Sequence, residues 1–204
     1  MLERILVNFP SLEMQVNNEQ TNTQKMLQHN QMKQKVMTGG SLQRKLVDVC
    51  ENNVDIKESI ILNCREYDSS KLRSIVSMDD AVLLSDADSQ MIVKIKFTEK
   101  VDVSQIDFYP TISDDESSPP RTVKLFVNQS NLDFNDVESL TPAIEFELPF
   151  PNDENESKPF SQILQGSKFT RLSSIQLFVE DNFGTEYTKL GRIKFHGFLA
   201  PQYH

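Results

Sequence analysis

The feature that most constrains this chain is a period of two in the apolar residues of its second half. Met91, Val93, Ile95 and Phe97 are interleaved with Ile92, Lys94 and Lys96. Val123, Leu125 and Val127 recur in the same way, as do Ile144, Phe146 and Leu148, and Ile175, Leu177 and Val179. Successive side chains of an extended strand point to opposite faces, so this alternation is the pattern of a half-buried strand. Turn chemistry separates the runs, with Asp86-Ala87-Asp88-Ser89 before one and Asp181-Asn182-Phe183-Gly184 after another. Strands in succession with no helical period between them predict an all-β antiparallel sandwich of about seven to nine strands.

The individual strands are expected at Ser59–Cys64, 91–97, 101–109, 122–128, 144–148, 169–179 and 190–199, with short apolar clusters at Leu72, Ile75 and Val76 and at Val82-Leu83-Leu84. Two acidic loops interrupt them, 111–120 and 150–160. Upstream the chemistry changes. Residues 14–40 are rich in Gln, Asn, Met and Thr and contain no Phe, Tyr or Trp, so they can bury little apolar surface. Ser41 to Cys50 has Leu42, Leu46, Val47 and Cys50 at helical steps. The expected organisation is a flexible, partly helical arm over residues 1–47 and a sandwich domain over 48–204.

Charge and cysteine usage narrow the function classes. Of a net charge of −9, residues 1–47 hold six Lys/Arg against three Glu, and the remainder holds 15 against 27. An acidic body repels phosphate backbones, which argues against a nucleic-acid partner. No apolar run approaches a membrane span, so no membrane partner is expected. Cys50 and Cys64 do not make a disulfide framework, and the N-terminus lacks the pattern of a signal peptide. The expected setting is intracellular, cytoplasmic or nuclear, with both thiols reduced.

Five stretches, in order, resemble one family. They are the run from Asp86 through Gln90-Met91-Ile92-Val93 to Phe97, then Pro119-Pro120-Arg121-Thr122-Val123-Lys124-Leu125-Phe126-Val127-Asn128, and then Leu132-Asp133-Phe134-Asn135-Asp136-Val137-Glu138. Phe169 with Ser174 to Gly184 follows, and Ile193 to Pro201 closes the set. Together, over about residues 58–201, they resemble the PITH domain, the proteasome-interacting thioredoxin domain. That resemblance implies a jelly-roll-type β-sandwich. It also implies a non-enzymatic protein-interaction module that docks on the regulatory particle of the proteasome. The chain departs from the best-known arrangement, because no Cys-x-x-Cys and no βαβ pattern precede the domain. The expected form is therefore a stand-alone member without the redox half. The alternatives are a subunit of another intracellular complex and a lectin-like or small-ligand-binding sandwich.

No catalytic set, cofactor motif or metal-ligand spacing stands out, so no catalytic, cofactor or metal residue is expected. His196, between Phe195 and Gly197, reads as a satisfied structural histidine. The terminal His204 offers an imidazole and a carboxylate to a partner's metal, and a frayed tail explains it equally. The acidic clusters at 113–116 and 152–156 match no calcium loop. Ser117 and Ser118, after three acidic residues and before Pro119, have the pattern of phosphorylation sites. For partner binding the candidates are Asp181, Asn182, Phe183 and Gly184, with Tyr203 and His204 as an extension. Phe183 carries that choice: a large apolar side chain in a turn either packs back on its own core or anchors a partner.

Overall fold

The computed structural model describes residues 46–77, 80–129, 131–151 and 158–199. The arm expected over residues 1–47 lies outside them except for its last two residues, and Tyr203 and His204 lie outside as well. The described residues form eleven strands: β1 (Val47–Asp48), β2 (Ile60–Leu62), β3 (Val82–Leu84), β4 (Met91–Phe108), β5 (Ser117–Ser118), β6 (Thr122–Val127), β7 (Ile144–Glu147), β8 (Phe160–Ile163), β9 (Leu172–Val179), β10 (Tyr187–Gly191) and β11 (Ile193–Leu199).

β4 organises them. Over residues 91–96 it pairs with β2 on one side and β9 on the other, and β9 continues to β6 and then β7. From Val101 onward the same strand pairs with β11 and β8, and β11 continues to β1. The pairing with β9 is irregular between Lys96 and Val101. One 18-residue strand thus belongs to both halves of a curled sheet, where the sequence pattern suggested two separate strands. A small sheet of β3, β10 and β5 completes the body. The architecture is the jelly-roll-type sandwich that the alternation and the family resemblance imply.

The main core fills the curl. Met91, Val93 and Ile95 from the first half of β4 share it with Ile106, Val123, Leu125, Ile175, Leu177, Ile193 and Phe195, all almost fully buried. Burying a side chain of this size contributes about 1.5–3 kcal/mol. The opposite faces of the same strands are not all wet. Ile92, Phe126 and Phe178 form a second cluster with Leu132 and Val137. The polar-looking stretch after β6 covers this cluster, which is why its few apolar residues are there.

Two local expectations are corrected. Leu46 to Cys50 is not helical: Val47 and Asp48 pair with Gly197 and His196, and a turn follows. The Asp48 carboxylate accepts the Cys50 N–H at 3.0 Å. A side chain satisfying the backbone locally competes with helix formation. Conversely, Ser69–Ser77 is a helix, α1, where only an apolar cluster was expected. Leu72, Ile75 and Val76 are its buried residues, at the i, i+3, i+4 spacing of one helical face. Asp68 caps its start by accepting the N–H groups of Ser70 and Lys71. The run expected as one strand over 190–199 is divided at Arg192 between β10 and β11.

Both cysteines are free, with Cys50 buried and Cys64 half-buried. Burial pushes the Cys50 thiol well up. His196 is the satisfied structural histidine expected: its Nε2 lies 2.7 Å from Asp107 Oδ2 across the β4–β11 pairing.

Candidate partner-binding site

The loop between β9 and β10 is held by its own polar side chains. Asn182 is 5% exposed. Its Nδ2 donates to the Tyr187 carbonyl at 2.8 Å and the Thr185 carbonyl at 3.2 Å, and its Oδ1 accepts the N–H groups of Gly184 and Thr185. Asp181 accepts the Thr122 N–H at 3.0 Å and pairs with the Arg121 guanidinium. Burial pushes the Asp181 carboxyl up, but the hydrogen bonds from Arg121 and Thr122 outweigh it and hold it below the usual carboxylate range. Gly184 turns the chain with φ +97°, a conformation that L side chains rarely adopt.

The four predicted loop residues therefore divide by role. Asp181 and Asn182 are turned onto the protein's own groups and shape the loop. Phe183 is half-buried, and its ring meets Phe150 edge to face with centroids 5.0 Å apart. Phe150 itself is 50% exposed. Phe183 is thus neither sealed in the core nor free. It forms half of an aromatic pair at the surface.

Beside this pair lies a cleft of about 270 Å³. Phe108, Leu148, Phe160 and Leu190 contribute to its apolar lining, and Pro110, Pro119, Pro120, Pro149, Pro151 and Pro159 wall it. Phe150 stands between two of these prolines in the chain, and Asn182 is bridged to a third, Pro120. Neither ring lines the cleft; the pair is linked to it through the chain at Phe150 and through the Asn182–Pro120 bridge. Phe146 ties it to the sandwich, approaching Phe108 at 5.8 Å and stacking on Phe160 at 6.4 Å. Tyr109 lies under the Arg192 guanidinium at 5.2 Å. A Cβ at Gly191 would sit 2.4 Å from the Tyr109 carbonyl oxygen, so only glycine lets β10 approach this wall.

Proline has no N–H. Six of the chain's nine prolines line this one cleft, so its walls offer carbon surface and carbonyl oxygens far more than donors. The Thr111 hydroxyl already donates to the Lys189 carbonyl at 2.8 Å, and Tyr109 and Lys158 are the other polar side chains of the lining. Such a lining suits an apolar group and is poorly matched to the several hydroxyls of a sugar.

The loop 111–120 starts and ends at the cleft and is more ordered than its acidic composition suggests. Ser117 and Ser118 are 3% and 2% exposed and pair with Tyr187 and Thr188 as β5. The Ser118 hydroxyl oxygen accepts the Phe183 N–H at 3.2 Å, and the Ser117 hydroxyl donates to Asp114 at 2.8 Å. This corrects their reading as phosphorylation sites: both hydroxyls are committed inside the fold. Hydrogen bonds from Lys189 and Ser117 hold the Asp114 carboxyl far below the usual range. Among the described residues no cluster of His, Cys, Asp and Glu is arranged to hold a metal ion.

The cleft itself was missed in the sequence, although the proline clusters at 119–120 and 149–151 were a signal for it. They flank both acidic loops and mark where backbone cannot join a ladder.

Comparison with known proteins agrees with this architecture. The sequence profile of the PITH domain matches residues 41–202. Thioredoxin-like protein 1 of Schizosaccharomyces pombe is 35% identical over 141 residues, which are 67% of this chain and 47% of that protein. PITH domain-containing protein 1 of Dictyostelium discoideum is 28% identical over 110 residues, 54% of this chain and 51% of that protein. The chain spans about half the length of these curated relatives. Among solved structures, a fragment of a Bacteroides thetaiotaomicron protein proposed to be a chitobiase superposes with a TM-score of 0.53 over 81% of this chain and 99% of that one. At 11% identity that likeness shows the fold alone. The profile match over residues 41–202, with the 35% identity to thioredoxin-like protein 1, places this chain in the PITH domain family.

Proposed function

We propose that this chain is a non-enzymatic protein-interaction module that docks on the regulatory particle of the proteasome, using the end of the sandwich that carries Phe150, Phe183 and the proline-walled cleft. The family is one of protein-interaction domains, and its name carries the proteasome. The observation that supports this docking end is the Phe150–Phe183 pair: two large rings from separate loops packed on each other at the surface, with one of them 50% exposed. Partially exposed aromatic anchors over a rigid frame are the common chemistry of binding hot spots. The frame is rigid here because Asp181, Asn182 and Ser118 fix the loop through five or more hydrogen bonds.

The experiment is co-sedimentation of the purified chain with purified proteasome particles that carry or lack the regulatory particle. The chain travels with the former and stays behind with the latter. If it sediments with neither, and a sugar or metabolite raises its Tm in a ligand-dependent way, the ligand-binding sandwich replaces this reading.

A further inference from the structure

Two Ser/Thr-Pro dipeptides occur in the whole chain, Ser118-Pro119 and Thr141-Pro142. Proline has no N–H. An enzyme groove with no acceptor for the residue after the target hydroxyl therefore takes proline and rejects residues whose N–H would be left unpaired. A proline in that position is a chemical signal that a kinase of the proline-directed class reads. The fold treats the two dipeptides in opposite ways.

Ser118 is closed off. It is 2% exposed, and its backbone pairs with Thr188 as part of β5. Its hydroxyl oxygen accepts the Phe183 N–H at 3.2 Å and the Thr185 hydroxyl at 2.8 Å. Thr141 is open. It ends a run of exposed residues, 138–141, in which even Leu140 is 38% exposed. The segment is anchored on both sides: the Ser139 and Leu140 N–H groups donate to the Asp136 carbonyl, and the Ala143 N–H donates to the Leu125 carbonyl at 2.7 Å. Between these anchors no hydrogen bond to a described residue holds Thr141, either through its N–H or through its hydroxyl. Thr141 and Pro142 lie outside helix, strand and turn, and a residue before proline is held in extended backbone. An exposed, extended and unbonded hydroxyl on a loop is the form in which an enzyme groove takes a chain.

The surroundings also accept the product. Thr141 lines a surface cavity with Lys124, Glu138, Glu145 and Glu180. Lys124 pairs with Glu180 at 2.6 Å and lies 4.0 Å from Glu145, and Lys168 donates to the Ala143 carbonyl. Charges of both signs border the position. A phosphate of about −1.5 to −2 placed here meets neither a closed apolar wall nor a wholly acidic one.

We propose that Thr141 is a phosphorylation site for a proline-directed Ser/Thr kinase, and that Ser118, with the same dipeptide, is not. In the transfer, Thr141 Oγ1 bonds to the γ-phosphorus of ATP and the bond from that phosphorus to the β,γ-bridging oxygen breaks. ADP leaves, and the hydroxyl proton passes to the carboxylate base of the kinase. The inference is independent of the docking reading, because Thr141 lies before β7 and Phe150 lies beyond its other end.

The probe is a purified mitogen-activated protein kinase with Mg²⁺ and ATP. It acts on the full chain and on two peptides that span residues 112–126 and 135–149, and tandem mass spectrometry locates the phosphate. The full chain takes it at Thr141, and Thr141→Ser still does. Thr141→Ala removes the modification, and Pro142→Ala slows it at least about tenfold. Ser118 in the full chain reacts at least about a hundredfold more slowly than Thr141, because it waits for local opening. In the 112–126 peptide, where nothing buries it, Ser118 reacts within about tenfold of Thr141 in the other peptide.

Transfer to Thr141 in the peptide but not in the folded chain, equal rates at Ser118 and Thr141 in the folded chain, or no transfer to Thr141 in either form would each overturn the proposal. So would a Pro142→Ala chain modified as fast as the parent, since the proline would then carry no signal. A 112–126 peptide left unmodified would overturn the assignment of the difference to burial.

Discussion

Phe150 and Phe183 come from two different loops and meet edge to face with ring centroids 5.0 Å apart. The contact joins the connection after β7 to the turn between β9 and β10. Edge-to-face pairs of this kind contribute about 0.5–1.5 kcal/mol beyond the area they bury. The pair therefore steadies two loops without belonging to the main core.

It follows that Phe183→Ala, which loses the pair contact and the partial burial of one ring, lowers stability by about 1–2 kcal/mol. A fully buried ring such as Phe178 or Phe195 loses about 3–5 kcal/mol on the same change. Urea unfolding of the three variants side by side checks the order. A loss at Phe183 as large as that at Phe195 would place it in the core and remove it as an anchor.

Asn182 predicts the opposite balance. Its side chain is buried and makes hydrogen bonds through both the amide nitrogen and the oxygen. Asn182→Ala leaves backbone groups of Gly184, Thr185 and Tyr187 without these partners, at a cost of about 1–3 kcal/mol. Hydrogen exchange reads it directly: the Gly184 and Thr185 amides, protected in the parent, exchange faster in the variant while those of β4 do not.

A third expectation concerns acid. Burial pushes the Asp107 carboxyl up, but hydrogen bonds from Ser161, Gln105 and His196 together outweigh it and leave its pKa lowered. A carboxyl depressed on folding contributes stability above its unfolded value, about 3.9, and that contribution is lost as pH falls through the folded value. Asp114 and Asp181 are depressed as well and act in the same direction, so the informative quantity is a difference. Urea midpoints between pH 2 and pH 7 should show Asp107→Asn less stable than the parent at neutral pH and converging with it as the acid limb is descended. Parallel curves would show that the Asp107–His196 contact contributes nothing to the pH dependence.

Much of the fold was legible in the sequence because a strand buried on one face writes its period directly into the chain. The runs at Met91–Phe97, Val123–Val127 and Ile175–Val179 are the clearest cases. What was not legible has specific causes. The period is silent about which strand a residue pairs with, so the continuity of β4 through the polar Thr98-Glu99-Lys100 was hidden. Helix α1 is short, and three apolar residues within it fit a strand-rich context as readily as a helix. β8 was missed because Phe160 and Ile163 are half-buried or exposed on an edge and leave no clean alternation. The site was half legible. Phe183 stood out as an apolar residue in a turn, but its partner Phe150 lies at the border of an acidic loop, and no local pattern couples the two. The cleft is built by residues from five segments and exists only after they meet.

The central claim is that this end of the sandwich engages the regulatory particle of the proteasome. The most direct measurement is affinity purification of the tagged full-length chain from native cells with quantitative mass spectrometry, the parent beside Phe183→Ala. The parent is expected to enrich regulatory-particle subunits and Phe183→Ala to recover them several-fold less, in line with the about 1–3 kcal/mol cost of removing an aromatic anchor, with a Tm only a few degrees lower. Enrichment of a different complex, or equal recovery of the particle by both chains, would contradict it.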